Sequence, residues 1–398
     1  MAEDDIISTL PDAILCHILS FLETKQSVAT RILSKRWNPL WRSVTTLRFN
    51  TKVTNQISNF DFNDFVYSVL LSRDATLPIK TFHLDIEYSQ DVKCPIKSIT
   101  EWVNFVVQRG VEYLHLYLVS MSESWLKLPI TILTCKTLVV LNLSGFRVEH
   151  CCFSSILLPS LKTFHLDYVQ FPKLQDFMLF LTGCPILEDL LTCDVSFDSD
   201  ESFDCSKWMS SLLTNLARAD IDCFSYYLPL KAVHNVQSLR FQFHQVYYHD
   251  DMIPTFHNLT QLKLICYDYS KDFLLDVLNH CPKLQSFDLD EVVKTEEALD
   301  KKEDKENWVF PDVVPQCLSL HLRTCNLLSF SGLHGELMLV RYILKNASVL
   351  QTMKIWNSGQ PEIERILSEL PRASVTCKLT VNRAPWDGGP DYPRFGRL

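Results

Sequence analysis

Three histidines stand at matching places in three short segments that alternate apolar and polar residues. His83, His115 and His165 each lie between two apolar neighbours. Imidazole is the commonest metal ligand among side chains, so these residues raise the question of a metal site. A further segment, which carries Asn142, comes between His115 and His165, whereas an imidazole must approach a metal to about 2 Å. The spacing therefore argues against a metal ion held by the three histidines.

Other reactive side chains lack the spacing of a catalytic or zinc-binding motif. The 14 cysteines include no C-x-x-C pair, and neither Cys151 with Cys152 nor Cys317 with Cys325 has histidines at zinc-finger spacing. The run FHQVYYHDD at 243–251 favours a polar loop over a metal or catalytic site. The sequence contains no G-x-S-x-G, H-E-x-x-H or P-loop spacing. We therefore expect a chain without catalytic activity, metal or cofactor.

The most concentrated apolar surface lies between Ile7 and Val44. A helix is predicted to begin at Pro11, because the first turn of a helix tolerates a residue without a backbone N–H. Its apolar residues recur at steps of one and three and line one face: Ile14, Leu15, Ile18, Leu19 and Leu22. A unit this short closes only a marginal core. Either the rest of the chain or the helices of another protein must cover the excess apolar surface.

The segments LPDAILCHILSFL at 10–22, VATRILSKRW at 28–37 and LW at 40–41 resemble the F-box. The resemblance covers roughly residues 6–46, and this stretch is similar to the N-terminus of plant F-box proteins with leucine-rich repeats. It implies three helices that dock on a Skp-type adaptor and, through it, on a cullin scaffold in an SCF ubiquitin ligase. Glu23 departs from the family pattern, in which proline often follows the Phe-Leu pair. The residues that would meet the adaptor, or support those that do, are Leu10, Pro11, Ile14, Leu15, Ile18, Leu19, Leu33, Ser34, Trp37, Leu40 and Trp41.

A phrase of the form apolar-x-x-apolar-x-apolar returns thirteen times in the rest of the chain, at intervals of 20–35 residues. Such a period is typical of leucine-rich repeats. Each phrase predicts a short strand with its apolar residues on one side, which only stacked repeats can bury. The phrases begin at residues 44, 79, 111, 138, 161, 187, 216, 236, 259, 284, 317, 350 and 376.

Helical patterns lie between many of these phrases, at 60–71, 99–107, 174–181, 208–216, 273–278, 336–344 and 363–370. Alternating strands and helices predict the α/β class: a helical N-terminal unit followed by a curved solenoid with a parallel sheet on its concave face. A doubly wound sheet is the rival fold, but it needs strands that are apolar on both faces. The alternating pattern favours the solenoid.

The C-terminal part carries a second resemblance. VPQCLSLHL at 314–322, the segment 335–355 and LPRASVTCKLTV at 370–381 resemble the FBD domain of the same plant proteins. The expected domains are therefore an F-box at 1–46, repeats at 47–311, an FBD-like segment at 312–382 and a flexible tail at 383–398. An insertion at 290–307, with eight acidic and four basic residues, is expected to be a solvated loop.

The polar residues between the buried positions of the strands would form the exposed face of the sheet. Keeping a sheet soluble is the commoner role of any single such residue, but the whole surface is predicted to bind a target protein. It begins acidic with histidines and becomes more basic near Arg240 and Lys263. The pairs in chain order are His83 and Asp85, His115 and Tyr117, Asn142 and Ser144, His165 and Asp167, Asp220 and Asp222, Arg240 and Gln242, Lys263 and Ile265, and Asp288 and Asp290.

Composition supports a folded chain that binds other proteins. Apolar residues make up 47% of the 398, and the net charge of −9 opposes nucleic-acid binding. We expect no membrane span and no secretory signal, hence a soluble protein of the cytoplasm or nucleus with reduced cysteines. The expected function is substrate recognition in an SCF-type ubiquitin ligase. Two alternatives remain, a scaffold unconnected to any ligase and a receptor that needs a small molecule on the same concave face.

Overall fold

The computed structural model describes residues 6–51, 59–74, 76–88, 96–120, 125–149, 156–199, 213–223, 228, 230–244, 253–267, 271–291, 313–357 and 361–383. The chain divides into two compact units, Met1–Leu187 with Val195–Phe203 and Glu188–Asp194 with Asp204–Leu398. Several predicted features lie largely outside the described residues. These are the helix at 208–216, the polar run at 243–251, the insertion at 290–307 and the tail at 383–398.

The first unit begins with short helices. They are Ile6–Thr9, Asp12–Leu19, Thr24–Ala29 and Trp37–Leu40, with 3₁₀ turns at Thr30–Ile32 and Trp41–Ser43. Pro11 is the residue before the second helix, with φ −60° and ψ 150°, so this helix begins one residue later than predicted. The helical segment is thus divided into more and shorter pieces than the three helices that were expected.

The helical segment has a core of its own. Helix Asp12–Leu19 packs on helix Trp37–Leu40 and on the turn Trp41–Ser43. The buried Ser27 hydroxyl donates a hydrogen bond of 2.9 Å to the Leu19 carbonyl, which ties the third helix to the second. The apolar residues enclosed here are Leu15, Leu19, Trp37, Leu40, Trp41 and Val44.

A parallel sheet follows in the first unit. Its strands are β1 Thr46–Asn50, β2 Thr81–Tyr88, β3 Tyr113–Ser120, β4 Leu126–Lys127, β5 Val140–Arg147 and β6 Thr163–Phe171. The spatial order is β1-β2-β3-β5-β6, with β4 paired to β5. Between and after the strands lie the helices Asn59–Ser72, Ile96–Val107 and Leu174–Thr182 and the 3₁₀ turn Ile130–Thr134.

The second unit repeats the arrangement. Its strands are β7 Asp189–Phe197, of which the first six residues belong to this unit, β8 Arg218–Cys223, β9 Ser238–His244, β10 Gln261–Tyr267, β11 Ser286–Glu291, β12 Thr324–Phe330, β13 Thr352–Asn357 and β14 Lys378–Arg383. They pair in sequence order, all parallel. The helices are Lys271–Asn279, Gln316–Leu320, His334–Asn346 and Pro361–Ser368, with a 3₁₀ turn at Leu230–Val233.

The alternating phrases place their apolar residues as predicted. In β2 the side chains of Phe82, Leu84 and Ile86 are fully buried, whereas His83 and Asp85 between them are partly exposed. Helices cover the apolar side, since the ring of Phe49 on β1 contacts Phe65 on helix Asn59–Ser72, with 6.0 Å between centroids. The alternation that defines the repeats therefore also defines the core.

The phrase predicted at 317 is wrong. CLSLHL does not form a strand. Most of it belongs to the helix Gln316–Leu320, which follows Pro315, and the strand of this repeat is β12. The three apolar positions of this repeat are occupied by Leu322, Cys325 and Leu327, which are all buried. The repeat therefore begins five residues later than the leucine pattern indicated, and a cysteine holds its middle apolar place.

The structure confirms the predicted fold class, α/β with a helical N-terminal segment followed by parallel strands that alternate with helices in most repeats. Among the described residues, no helix is both long enough and apolar enough to cross a bilayer.

Candidate functional site

Helix Asp12–Leu19 carries two parallel apolar stripes. Leu15 and Leu19, four residues apart, are 0% and 1% exposed and form its inner stripe. Ile14 and Ile18, also four apart, are 46% and 41% exposed. Neighbouring residues on a helix differ by about 100° in direction, so the broad face that the sequence predicted splits into a folding stripe and a free stripe.

Other apolar side chains outside this helix are also exposed. Phe21 is 70% exposed, and its ring contacts the imidazole of His17, with 4.9 Å between centroids. On the next part of the unit, Ile32 and Leu33 are 83% and 63% exposed. The exposed apolar side chains of the helical segment, here called the docking face, are Ile7, Ile14, Ile18, Phe21, Ile32 and Leu33.

Polar contacts fix the docking face to its support. The Arg36 guanidinium binds the Asp12 carboxylate, with 2.6 Å between Nη2 and Oδ1, and it donates to the Leu10 carbonyl. This ion pair is exposed and contributes little energy, but it joins the start of the second helix to the segment before Trp37. Arg48 at the sheet edge donates its backbone N–H to Thr24 Oγ1 over 2.8 Å and its side chain to the Ser20 carbonyl.

The structure divides the predicted adaptor-binding set into buried and exposed members. Five of its members are buried and can only support the face: Leu15, Leu19, Trp37, Leu40 and Trp41. Leu10 is partly exposed, and the exposed members are Pro11, Ile14, Ile18, Leu33 and Ser34. Sequence reasoning missed Ile7, Phe21 and Ile32 as exposed apolar residues. The spacing Ile14, Ile18, Phe21 repeats the steps of four and three, so a second stripe was visible in the pattern.

The polar side of the first sheet is organised in two rows across the strands. His83, His115, Asn142 and His165 are register partners on β2, β3, β5 and β6. A second row, two residues along each strand, contains Asp85, Tyr117, Ser144 and Asp167. The histidines therefore share one line, but Asn142 separates His165 from the other two, as the sequence predicted.

Asp85 joins the first two histidines. Nε2 of His83 and Nε2 of His115 each lie 3.1 Å from Asp85 Oδ1, and the two imidazole centroids are 3.9 Å apart. Burial by itself raises the pKa of Asp85, but the hydrogen bonds from His115 and His83 outweigh it and hold that pKa well below its usual range. Burial lowers the pKa of His115, with the Asp85 hydrogen bond opposing. This cluster combines two imidazoles with one carboxylate.

The strands of the second unit carry a similar row of charged residues. Asp220, Arg240, Lys263 and Asp288 are register partners on β8 to β11, so two basic residues lie between two acidic ones. Arg240 Nη1 lies 2.5 Å from Asp220 Oδ1, and Asn326 Nδ2 donates to Asp288 Oδ1 over 2.7 Å. Burial raises the pKa of Asp220, with Arg240 opposing, and burial also raises the pKa of Asp288.

The polar side is less exposed than the sequence predicted. Side chains on adjacent strands pair with each other, as Ser144 does with Asp167 at 3.2 Å, and so shield one another. The buried members are His115, Asn142, Ser144, Asp222, Gln242, Ile265 and Asp290. The members that keep partial exposure are His83, Asp85, Tyr117, His165, Asp167, Asp220, Arg240, Lys263 and Asp288. A partner could contact only the second group directly.

Family models match three parts of the chain. An F-box domain matches residues 7–49, the LRR repeats of an FBD-associated F-box protein match 99–225, and FBD matches 311–355. F-box/FBD/LRR-repeat protein At4g26340 of Arabidopsis thaliana is 30% identical over 425 aligned residues, which cover 94% of this chain and 99% of that protein. This chain belongs to the F-box/FBD/LRR-repeat family.

Other members of the F-box/FBD/LRR-repeat family match over a similar extent. FBD-associated F-box protein At5g56370 of Arabidopsis thaliana is 29% identical, with 94% of this chain and 99% of that protein covered. F-box/FBD/LRR-repeat protein At1g78750, from the same plant, is 27% identical, with 95% and 96% covered. Both resemblances noted in the sequence are confirmed. The docking face lies within the F-box match, and β3, β5 and β6 lie within the LRR match.

Proposed function

We propose that this chain is the substrate-recognition subunit of an SCF-type ubiquitin ligase. Its F-box would dock on a Skp-type adaptor and thereby on a cullin scaffold, while the polar side of the repeats would hold a target protein. The chain would perform no chemistry itself. Its contribution would be to place the target near a ubiquitin-charged enzyme, and positioning of this kind can lower a reaction barrier by several kcal/mol.

The docking face is the observation that supports this proposal. Six large apolar side chains of one small helical segment are 41–83% exposed, although the same segment encloses its own core. Because exposed apolar clusters of this kind mark interaction sites, the face favours a partner made of apolar helices. Ile32, the most exposed member at 83%, has the largest share of its surface left for a partner to cover.

The target surface is proposed from charge and exposure. The partly exposed Asp167 in the first unit would favour a basic segment of the target, whereas Arg240 and Lys263 in the second would favour an acidic one. Charged rims contribute more to specificity and association rate than to affinity. Substituting these residues should therefore change which targets are captured while leaving adaptor binding unaltered.

Co-purification with a Skp-type adaptor tests the proposal. The wild-type chain should form a complex that survives gel filtration, and Ile32→Asp should remove it because a carboxylate would be desolvated at the interface. Val375→Asp is the matched control, since Val375 is fully exposed but lies in the second unit. If the wild-type chain is folded and does not bind the adaptor, the scaffold alternative is favoured and the ligase role is wrong.

A further inference from the structure

The cluster of His83, Asp85 and His115 has the composition of a metal site. His83 and Asp85 are two residues apart on β2 and so point to the same side of the sheet, while His115 is the register partner of His83 on β3. Both imidazoles direct Nε2 at one carboxylate oxygen, Asp85 Oδ1, over 3.1 Å. The three ligand atoms lie within 4.8 Å of one another.

The two nitrogen-to-oxygen distances in this cluster are close to those of tetrahedral coordination. Ligand atoms about 2.0–2.1 Å from a zinc ion, at tetrahedral angles, are roughly 3.3 Å apart. The two nitrogen-to-oxygen distances of 3.1 Å are close to that edge length. To admit an ion, the two imidazoles, whose centroids are 3.9 Å apart, must separate by about 1 Å so that both Nε2 lone pairs point at it. Two imidazoles and a carboxylate suit zinc and other first-row transition ions better than magnesium or calcium, which prefer all-oxygen sites.

We propose that His83, Asp85 and His115 form a binding site for a divalent first-row transition-metal ion, with zinc as the best fit. Three protein ligands leave one coordination position open, as in zinc sites that also bind water or another molecule. The histidines alone did not predict this site, because the third ligand is Asp85 and not His165.

Asn142 lies beside the outer ring nitrogen of His115. It is 7% exposed, and its Nδ2 lies 3.4 Å from His115 Nδ1 and 3.1 Å from the Tyr113 hydroxyl. In this orientation the amide donates to Nδ1, so the imidazole proton is on Nε2. Metal binding would require the amide to turn by 180°, so that Oδ1 accepts a hydrogen bond from His115 Nδ1–H and Nε2 presents its lone pair to the ion.

This arrangement is the usual support of a metal-binding histidine, whose other ring nitrogen donates to a fixed acceptor. Asp85 is supported in the same way, since Asn50 Nδ2 donates to its second oxygen, Oδ2, over 3.3 Å. The site therefore has both ligands and outer hydrogen bonds. It lies on the side of the sheet proposed for the target, but metal binding needs neither the target nor the adaptor.

A zinc titration of the full-length chain in competition with a chromophoric chelator tests the proposal. We expect one zinc ion per chain in this site, and no competition by magnesium. His83→Ala and His115→Ala should each remove the binding, and Asn142→Ala should weaken it by about 10–100-fold, as loss of an outer hydrogen bond does. His165→Ala is the matched control, because His165 lies in the same row at about 10 Å from His115, by the spacing of two strands, and should leave the affinity unchanged.

Cobalt substitution identifies the ligands directly. Cobalt bound by nitrogen and oxygen should give visible bands without the near-ultraviolet charge transfer of a cobalt–thiolate bond, which would reveal one of the 14 cysteines as ligand. If His115→Ala fails to fold, as circular dichroism would show, His83→Ala decides, since that side chain is 28% exposed. The proposal is overturned if the wild-type chain does not bind zinc, if His83→Ala binds it with unchanged affinity, or if the cobalt complex shows thiolate ligands.

Discussion

Substitutions at two adjacent residues of one helix should have different effects. One should mainly lower stability, and the other should mainly weaken adaptor binding. Leu15 is fully buried, so Leu15→Ala leaves a cavity in the helical segment and should lower the free energy of unfolding by about 2–5 kcal/mol. Ile14 is 46% exposed, so Ile14→Ala removes much less buried surface. Alanine also has the higher helix propensity, and the expected loss is below about 1 kcal/mol.

Binding to the adaptor should show the reverse order. Ile14 would lose its remaining water contact in the complex, and covering about half of an isoleucine side chain contributes on the order of 1 kcal/mol. Ile14→Ala should therefore weaken the complex by about fivefold. Leu15→Ala should affect binding only under conditions in which the helical segment opens.

Native-state hydrogen exchange of the amides in helix Asp12–Leu19 measures the local stability of both variants, and calorimetry with the adaptor measures the affinity. The variants share a helix and differ by one position, so the labelling conditions are matched. Equal loss of protection in the two variants would refute the division into a folding stripe and a free stripe. So would a larger loss of affinity in Leu15→Ala, measured where both proteins are folded.

Two further predictions concern the repeats. Gly145 has φ +83°, and a Cβ there would overlap the Leu118 carbonyl oxygen, so Gly145→Ala should lower the denaturation midpoint. Gly110→Ala, also at positive φ but with only an ordinary contact of 3.9 Å to Thr137 Cγ2, should cost about 1 kcal/mol in the same urea titration. Burial and the charge of Glu291 raise the pKa of Glu336 to about 7 despite backbone hydrogen bonds. The folded state therefore keeps a proton that the unfolded state releases near pH 4.5, and stability should fall as the pH rises from about 4.5 to 7, by at most about 3 kcal/mol. Glu336→Gln should remove this slope from urea midpoints measured across that range, and an unchanged slope would contradict the assignment.

The repeat pattern predicted most of the fold because a strand with one buried side needs strict alternation. Phe82 and Leu84 in β2 are typical, since both are buried as the phrase requires. The pattern failed at 317, where leucines in CLSLHL fit a helix as well as a strand, and Pro315 favours the helix. A proline before an apolar run was therefore the better signal than the leucine spacing.

The candidate sites were predicted less completely, for two physical reasons. A five-residue apolar face is wide enough to pack against both the chain's own core and another protein. Composition does not show which of the two Ile14 or Leu15 contacts. Which stripe folds inward depends on the position of helix Trp37–Leu40, a contact between residues far apart in sequence. Predicting the polar rows would have required the register between strands. That register brings Asp85 next to His115, although thirty residues separate them in sequence.

Exchange of backbone amides in the full-length chain, with and without a Skp-type adaptor, is the decisive test of the docking face. Complex formation should protect residues 12–22 and 30–34, where most of the docking face lies, and leave the amides of β2 to β6 unchanged. Protection of those strands, or unchanged exchange at 12–22 in a complex that forms, would contradict this expectation.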